Sequence, residues 1–365
     1  MSEGAHPLRL ALLCRGGHGG STVAATELAA ALARRGHEVD LFAPVALGRP
    51  PARPGRGLRV HEVPGGSRDL EEAVRVRAGA RGYDAVHAHY ARPLALRAAT
   101  IADRLSATTD RPTTVVTLHG TDLTAVLDPR ATPRLAAELV AALEVIDQVV
   151  CVSHDLAARS RLLPGLRTPP KVIHGGIDLV TWRRRGVAQR PELLSVSTLK
   201  SLKRIPALVD AFARARAGGA PRDLVLRIVG DGPDLALARD RARALGVSDA
   251  VVFEGACPAT PALYRGARAV VSWSREESFG LSLLEGLACE VPFIAPRLPG
   301  LEELAGPSCP GVFVDDVDAL VTAMVGAGAA PCPALERAAR KSAERFSIDR
   351  TAVRYEELYR QKVLI

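Results

Sequence analysis

Aromatic residues make up only 4% of the 365-residue chain, and Met and Trp number two each. So few rings, with no long Lys/Arg tract between them, set nucleic acid aside as a partner. The six cysteines (Cys14, Cys151, Cys257, Cys289, Cys309 and Cys332) are far apart and form no CxxC pair. That spacing speaks against a zinc knuckle or a disulfide framework, and several of them read as buried free thiols in apolar runs. No apolar run reaches membrane-spanning length. The stretch from Leu8 to Cys14 is too short for a secretory core and leads straight into a glycine loop. The expectation is a cytoplasmic protein without an integral membrane segment.

Hydrophobic residues account for 47% of the chain and charged residues for 24%, an ordinary globular balance. The length exceeds one usual core, so two domains are expected. The formal charge is +8, much of it Arg scattered through helical stretches and the run Arg183-Arg184-Arg185. A basic balance of that kind suits small phosphate-bearing ligands.

Short apolar runs alternate with Ala/Leu/Arg-rich stretches along the whole chain. Strands are expected at 8–14, 37–42, 58–63, 83–88, 113–118 and 147–152, with helical spacing at 22–35 and 134–145. Around 164–191 the pattern breaks into a Pro/Gly-rich, basic segment that reads as a linker. Strands resume at 192–198, 223–230, 250–255, 267–273 and 291–295, and a last helical stretch covers 347–361. Near-continuous apolar strands separated by helices predict parallel sheets covered on both faces: an α/β protein of two tandem halves.

Four segments carry candidate chemistry. The first, "CRGGHGGSTVAATEL", follows the first strand: Gly19, Gly20 and Ser21 open a helix suited to an anion, with Ser21 or Thr22 as its cap. A plain strand-to-helix turn explains it equally. A dinucleotide-binding dehydrogenase, with Asp40 ending the second strand, is a rival, although the spacing is not G-x-G-x-x-G. The second is "TLHGTD", which sets His119, Thr121 and Asp122 at a strand's C-terminal end, where ligands of parallel sheets sit. His119 is equally a sugar-hydroxyl donor and a loop-fixing group. His87 and His89 end another strand. They are expected to face opposite sides, which argues against a shared metal, and no metal site is read. The third is "STLKSLKRI", where Lys200 and Lys203 are either a diphosphate clamp or a solvated basic turn.

The fourth segment, "SREESFGLSLLEGLACEVPFIA", decides between these readings. Glu277 and Glu285 are separated by seven residues. A helix is expected to start between Ser278 and Gly280, with Glu285 about two turns inside. The N–H groups of Phe279, Gly280 and Leu281 would then face a phosphate. A carboxylate among Leu283, Leu284, Leu287 and Ala288 needs a partner.

The E-x7-E element resembles the most specific motif of the retaining family 4 glycosyltransferases, whose fold is GT-B. "VIHGGID" (172–178), with Gly175 in place of an asparagine, is similar to that family's interdomain segment. "IVGDGP" (228–233) is similar to its VGDGP turn, and "STLKSLKRI" aligns Lys203 with its phosphate-binding lysine. Thr198 stands where the family usually has Arg. In "GGSTVAATEL", "HAHYARP" and "TLHGTDLT" the first half is most similar to the branch that adds N-acetylglucosamine to L-malate in bacillithiol synthesis.

The resemblance implies two Rossmann-like domains facing across a cleft. The acceptor domain would span 1–178, the linker 179–191 and the donor domain 192–346, with helix 347–361 crossing back to the first. It further implies a nucleotide sugar (UDP-N-acetylglucosamine first) and a small acceptor such as an aminocyclitol, a thiol or malate, with no cofactor and no metal. A homodimer is an ordinary arrangement for such an enzyme. Donor contacts fall on Gly19, Gly20, Ser21, Thr198, Lys200, Lys203, Gly230, Glu277, Ser278, Phe279, Gly280, Leu281 and Glu285. Acceptor contacts fall on His89, Tyr90, Arg92, Thr121 and Asp122. His119, Lys203 and Glu277 would be catalytic. A nucleotide-sugar 2-epimerase and a non-catalytic nucleotide-sugar-binding partner are the alternatives.

Overall fold

The computed structural model describes residues 6–128, 131–184, 191–329 and 332–361. The chain forms two compact units: residues up to Gly176 together with those from Ile348 onward, and Ile177–Ser347.

The first unit is a seven-stranded sheet. Its strands are β1 (Arg9–Leu13), β2 (Glu38–Ala43), β3 (Leu58–Glu62), β4 (Ala85–His89), β5 (Thr113–Leu118), β6 (Gln148–Cys151) and β7 (Lys171–Val172). All pairings are parallel, in the order β3-β2-β1-β4-β5-β6-β7. Its helices are α1 (Gly20–Arg34), α2 (Ser67–Ala78), α3 (Leu94–Leu105), α4 (Thr121–Leu127), α5 (Pro133–Glu144) and α6 (His154–Ser160). The central strands β4 and β5 are buried at every residue, as a sheet covered on both faces requires. At its chain start, α6 has Ser153 Oγ accepting from Leu156 N at 3.1 Å, a side-chain cap.

The second unit has a six-stranded sheet in the order β10-β9-β8-β11-β12-β13, again all parallel. In chain order its elements are β8 (Glu192–Val196), α7 (Ile205–Ala217), β9 (Val225–Val229), α8 (Leu235–Ala244), β10 (Val251–Gly255), α9 (Pro261–Tyr264) and β11 (Ala269–Val271). These are followed by α10 (Leu281–Ala288), β12 (Phe293–Pro296), α11 (Pro299–Ala305), β13 (Gly311–Val314), α12 (Val317–Ala329) and α13 (Pro333–Glu344). Phe212, Leu208, Leu226 and Leu320 are fully buried in its core. The segment Ile177–Arg184 belongs to this unit. Arg340 of α13 donates to the carbonyls of Leu179, Trp182 and Ala288, and Trp182 packs edge-on against Tyr264 at 5.6 Å. Arg185 and the rest of the expected linker through residue 190 lie outside the described residues.

The last helix, α14 (Ile348–Arg360), packs within the first unit. Ile348, Ala352 and Tyr355 join the core formed by α1 and the sheet. Arg35 donates to Glu356 at 2.7 Å. Burial alone would raise the Glu356 carboxyl. Hydrogen bonds from Arg35, Arg360 and His37 outweigh it and hold the group at about 2.

Two strands have no counterpart in the sequence reading. β7 has only two residues, too short for a periodic signal, and β13 is a four-residue run after Pro310. No single helix among the described residues is long and apolar enough to cross a membrane.

Candidate active site

Both sheets reverse strand order once, between β1 and β4 in the first unit and between β8 and β11 in the second. The reversal opens a crevice at the C-terminal strand ends, the usual ligand position in doubly wound sheets. The glycine loop and Tyr90 follow β1 and β4, and the segments of Thr198–Lys203 and Glu277 follow β8 and β11. His119 and Gly230 follow the neighbouring strands β5 and β9.

In the second unit, β8 runs into Ser197 and Thr198, and β11 runs into Ser272–Glu277. Lys203 and Glu277, distant in sequence, form an ion pair. Ser274 Oγ donates to the same Glu277 oxygen at 3.1 Å, and Ser272 Oγ lies 3.0 Å from Ser274 Oγ. Arg204, in the left-handed region at φ 50°, donates through Nε to the Trp273 carbonyl at 2.7 Å and lies 4.3 Å over that indole. Arg275 N donates to Leu202 O at 2.8 Å. These contacts stitch the loop of Lys203 to the loop of Glu277. Arg204 and Trp273 escaped the sequence reading because each finds the other 69 residues away, and Ser272 and Ser274, though within three residues of their partners, carry no spacing that marks them. Lys200 and Thr198 are exposed at the rim.

The VGDGP turn has a steric explanation. A Cβ on Gly230 would stand 1.8 Å from the Ser197 carbonyl, and its φ of 137° is rare for other residues. Leu199 N donates to Asp231 O at 2.9 Å, so the turn and the segment carrying Thr198 run in contact.

The helix after Glu277 differs from expectation. α10 starts at Leu281, with Gly280 preceding it at φ 80°. Ser278, Phe279 and Gly280 therefore form the approach to the helix, and Glu285 lies little more than one turn in. Gly280, in the left-handed region, directly precedes the first helical residue, Leu281. Phe279 is a core side chain packed edge-on against Phe346 at 5.2 Å, so only its backbone is available to a ligand. Glu285 is buried and accepts from Tyr264 Oη at 2.5 Å, the partner that its apolar surroundings demand.

In the first unit, β1 ends in the glycine loop. Gly17 N donates to Ala46 O at 3.0 Å and Gly48 N to Gly17 O at 3.1 Å. Neither Ser21 nor Thr22 caps α1. The helix already begins at Gly20, and the Thr22 hydroxyl turns back to the Gly16 carbonyl at 2.8 Å. A Cβ on Gly19 would meet nothing within 4 Å, so this backbone borders open space.

His89, Tyr90, His119, Thr121 and Asp122 come together at the ends of β4 and β5. Asp122 is a clip: its Oδ1 accepts from Ala91 N at 2.7 Å and its Oδ2 from His119 N at 2.8 Å. Burial pushes its carboxyl up to about 6. Tyr90 has φ 112°, an uncommon conformation for a residue with a side chain. Its N donates to Thr117 O at 3.1 Å, its hydroxyl accepts from Thr121 Oγ1 at 3.1 Å, and Arg15 lies 4.7 Å over its ring. Arg15 went unnoticed as a candidate because nothing in the sequence couples it to Tyr90. Arg92 is half-exposed and pairs with Glu138 at 3.1 Å.

His87 and His89 do not face opposite sides. Their ring centroids are 4.2 Å apart, because residues two apart on a strand share a face. His87 uses both ring nitrogens internally, on Tyr359 Oη at 2.7 Å and Thr117 Oγ1 at 2.8 Å. Burial lowers the pKa of all three histidines, His87 to about 3 and His119 to about 4.

Asp40 lies inside β2 rather than at its end. His61 at 2.7 Å, Arg77 at 3.1 Å and Tyr83 at 2.9 Å occupy its carboxylate. A ribose-binding acid of the dehydrogenase type has no place there.

Two doubly wound units, each with polar groups at its switch point, are the architecture expected of a GT-B glycosyltransferase. Residues 18–181 match the model for Glycosyltransferase Family 4, and residues 182–325 match that for Glycosyl transferases group 1. The N-acetyl-alpha-D-glucosaminyl L-malate synthase of Bacillus anthracis is 29% identical over 81% of each chain. A D-inositol 3-phosphate glycosyltransferase of Actinosynnema mirum is 31% identical over 82% of this chain and 81% of its own length. Among solved structures, HepE of Anabaena in complex with UDP-glucose has a TM-score of 0.75 at 18% identity, covering 96% of this chain and 99% of its own. The chain belongs to the family 4 glycosyltransferases.

Proposed function

We propose that this glycosyltransferase is a retaining, metal-independent enzyme that transfers N-acetylglucosamine from UDP-N-acetylglucosamine to a small polar acceptor. The pairing of Lys203 with Glu277 at the second unit's switch point carries the reading. It sets a cation for the departing diphosphate beside a carboxylate for sugar hydroxyls. The UDP-glucose held by HepE and the N-acetylglucosaminyl product in the name of the Bacillus relative support the donor.

In this reading Glu285 takes the ribose diol and Glu277 the sugar hydroxyls. Lys203 and Lys200 neutralise the diphosphate, with Thr198, Gly230 and the N–H groups of Phe279 to Leu281 around it. Gly19, Gly20 and Ser21 contact the phosphates, and His119 meets the sugar's primary hydroxyl. Tyr90, Thr121 and Arg92 take the acceptor, while Asp122 holds their loops. As the bond from C1 to the diphosphate oxygen breaks, the acceptor oxygen bonds to C1 from the same face. The acceptor proton passes to the departing oxygen. Catalysis then consists of stabilising an oxocarbenium-like state and the leaving phosphate.

The test is nucleotide release from a panel of UDP- and GDP-sugars, with and without L-malate, 2-deoxystreptamine and thiol acceptors, repeated in EDTA. Acceptor-dependent UDP release and an α-linked product from an α-linked donor are expected, unchanged by the chelator. Donor conversion without acceptor would replace the reading with an epimerase, and an inverted product would remove retention.

A further inference from the structure

The strand-end histidines of the first unit have a feature that the transfer reading leaves unused. His89 is 2% exposed. Its Nδ1 lies 3.2 Å from His119 Nε2. Its own Nε2 is buried without a hydrogen-bond partner among the described residues. The nearest ring, His87, cannot supply one, since Tyr359 and Thr117 take both of its nitrogens.

Two arrangements of protons satisfy the His89–His119 contact. If His89 carries its proton on Nε2, a donor is buried with no acceptor, and His119 must donate from Nε2. If His89 carries it on Nδ1, only a lone pair is left unmet, and His119 accepts at Nε2. Orphaned buried N–H donors are the rarer of the two in folded proteins, and the second arrangement prevails. We propose that His89 is a positioning residue that locks His119 in the tautomer protonated at Nδ1, so that His119 presents a neutral N–H donor to the donor sugar. This rests on the reading of His119 as the sugar-facing group.

The surroundings agree with that assignment. Burial drives all three histidines toward the neutral form, so neither ring carries protons on both nitrogens at neutral pH. A neutral donor also suits the chemistry. An imidazolium beside an oxocarbenium-like carbon would repel the developing positive charge, whereas a neutral N–H anchors a hydroxyl oxygen without that cost. The column is braced from below: Tyr355 Oη lies 2.7 Å from Thr117 Oγ1 and Tyr359 Oη 2.7 Å from His87. The terminal helix α14 thus reaches the ring stack through two buried hydroxyls.

The experiment is a proton–nitrogen correlation spectrum of the full chain labelled at histidine, read alongside steady-state kinetics. In the wild-type protein at neutral pH, His119 is expected to show one tautomer, protonated at Nδ1. His89→Asn sets an amide N–H where Nδ1–H was and is expected to keep the His119 tautomer and to turn over faster than His89→Phe. His89→Phe fills the space without a donor; it is expected to mix the tautomers and lower kcat by about tenfold at unchanged donor KM, the scale of one hydrogen bond. A wild-type His119 protonated at Nε2 would overturn the proposal, as would a His89→Phe protein with wild-type spectrum and kcat. Should His89→Phe fail to fold, the wild-type and His89→Asn spectra still decide. A wild-type protein inactive on every donor would remove the transferase assignment but leave the spectrum to judge the tautomer.

Discussion

The two switch points solve the same problem with different materials. In the first unit, side chains hold one another: Asp122 clips two loops by their backbone, Tyr90 is braced by Thr121 and Arg15, and three neutral histidines stack at the strand ends. In the second unit, backbone passes so close that only glycine fits bring two loops together, and one ion pair joins them. The first arrangement sets one carboxylate and one guanidinium among neutral groups, whereas the second joins its loops through a direct ion pair. A cluster of neutral donors and acceptors suits discrimination among hydroxylated acceptors. A cation locked to a carboxylate suits a diphosphate that leaves with negative charge.

The largest predicted effect breaks the charged side of this contrast. Lys203→Ala is expected to lower turnover by about 100- to 1,000-fold, the scale of one preorganised charge contact, or roughly 2.7–4 kcal/mol. A loss under about tenfold at saturating donor would remove Lys203 from the chemistry.

Next comes the backbone support. A Cβ on Gly300 would meet the carbonyls of Ser278 and Glu277 at 2.7 and 2.8 Å. Gly300→Ala is therefore expected to destabilise the protein by about 1–3 kcal/mol by overpacking and to raise the donor KM. Denaturant melts read the first effect and initial rates the second. An unchanged KM would mean that α11 does not set the loop of Glu277.

A comparable effect is expected for the partner of Glu285. Tyr264→Phe removes a hydrogen bond to a buried carboxylate and should cost about 1.5–3 kcal/mol. Affinity for UDP, by calorimetry, should fall with it. Full UDP affinity would separate Glu285 from the nucleotide.

The smallest effect tests the brace of the first unit. The Glu356 carboxyl is held at about 2 against an ordinary 4.5. Its contribution to stability is thus fully present above about 4.5 and is lost as pH falls toward 2. With partial solvent screening the contribution is about 1–2 kcal/mol. Glu356→Gln should destabilise the protein by that amount at neutral pH and flatten this part of the stability profile. Equal losses at neutral and acid pH would assign the effect to packing.

How much of this was legible in the sequence follows from chain distance. Glu277 and Glu285 stand in one short segment, and their spacing alone marks them. Lys203 was marked too, but its ion pair with Glu277 was not, since the two stand 74 positions apart. In the first unit, His89, Tyr90, His119 and Asp122 were marked as separate strand-end residues. Nothing in their order announced that Asp122 bridges two loops or that His89 touches His119. The facing of His87 and His89 was legible from strand geometry and was read the wrong way round. Two residues are too few for β7 to establish a period, whereas β13 is as long as β6 and β12 and its apolar run Val312–Val314 was legible.

The sequence by itself determined the α/β alternation, the tandem halves, the glycine turns and the acid pair. Those features are local: each depends on the allowed angles of glycine, the apolar period of a strand, or groups a few residues apart. Only the tertiary structure decided which strands became neighbours, and with that the strand-order reversal that defines each crevice. It alone paired Lys203 with Glu277, gave Glu285 its tyrosine, and stacked three histidines above two tyrosines of the last helix. Such contacts depend on directions that the chain acquires only when the sheet's register fixes where every strand ends.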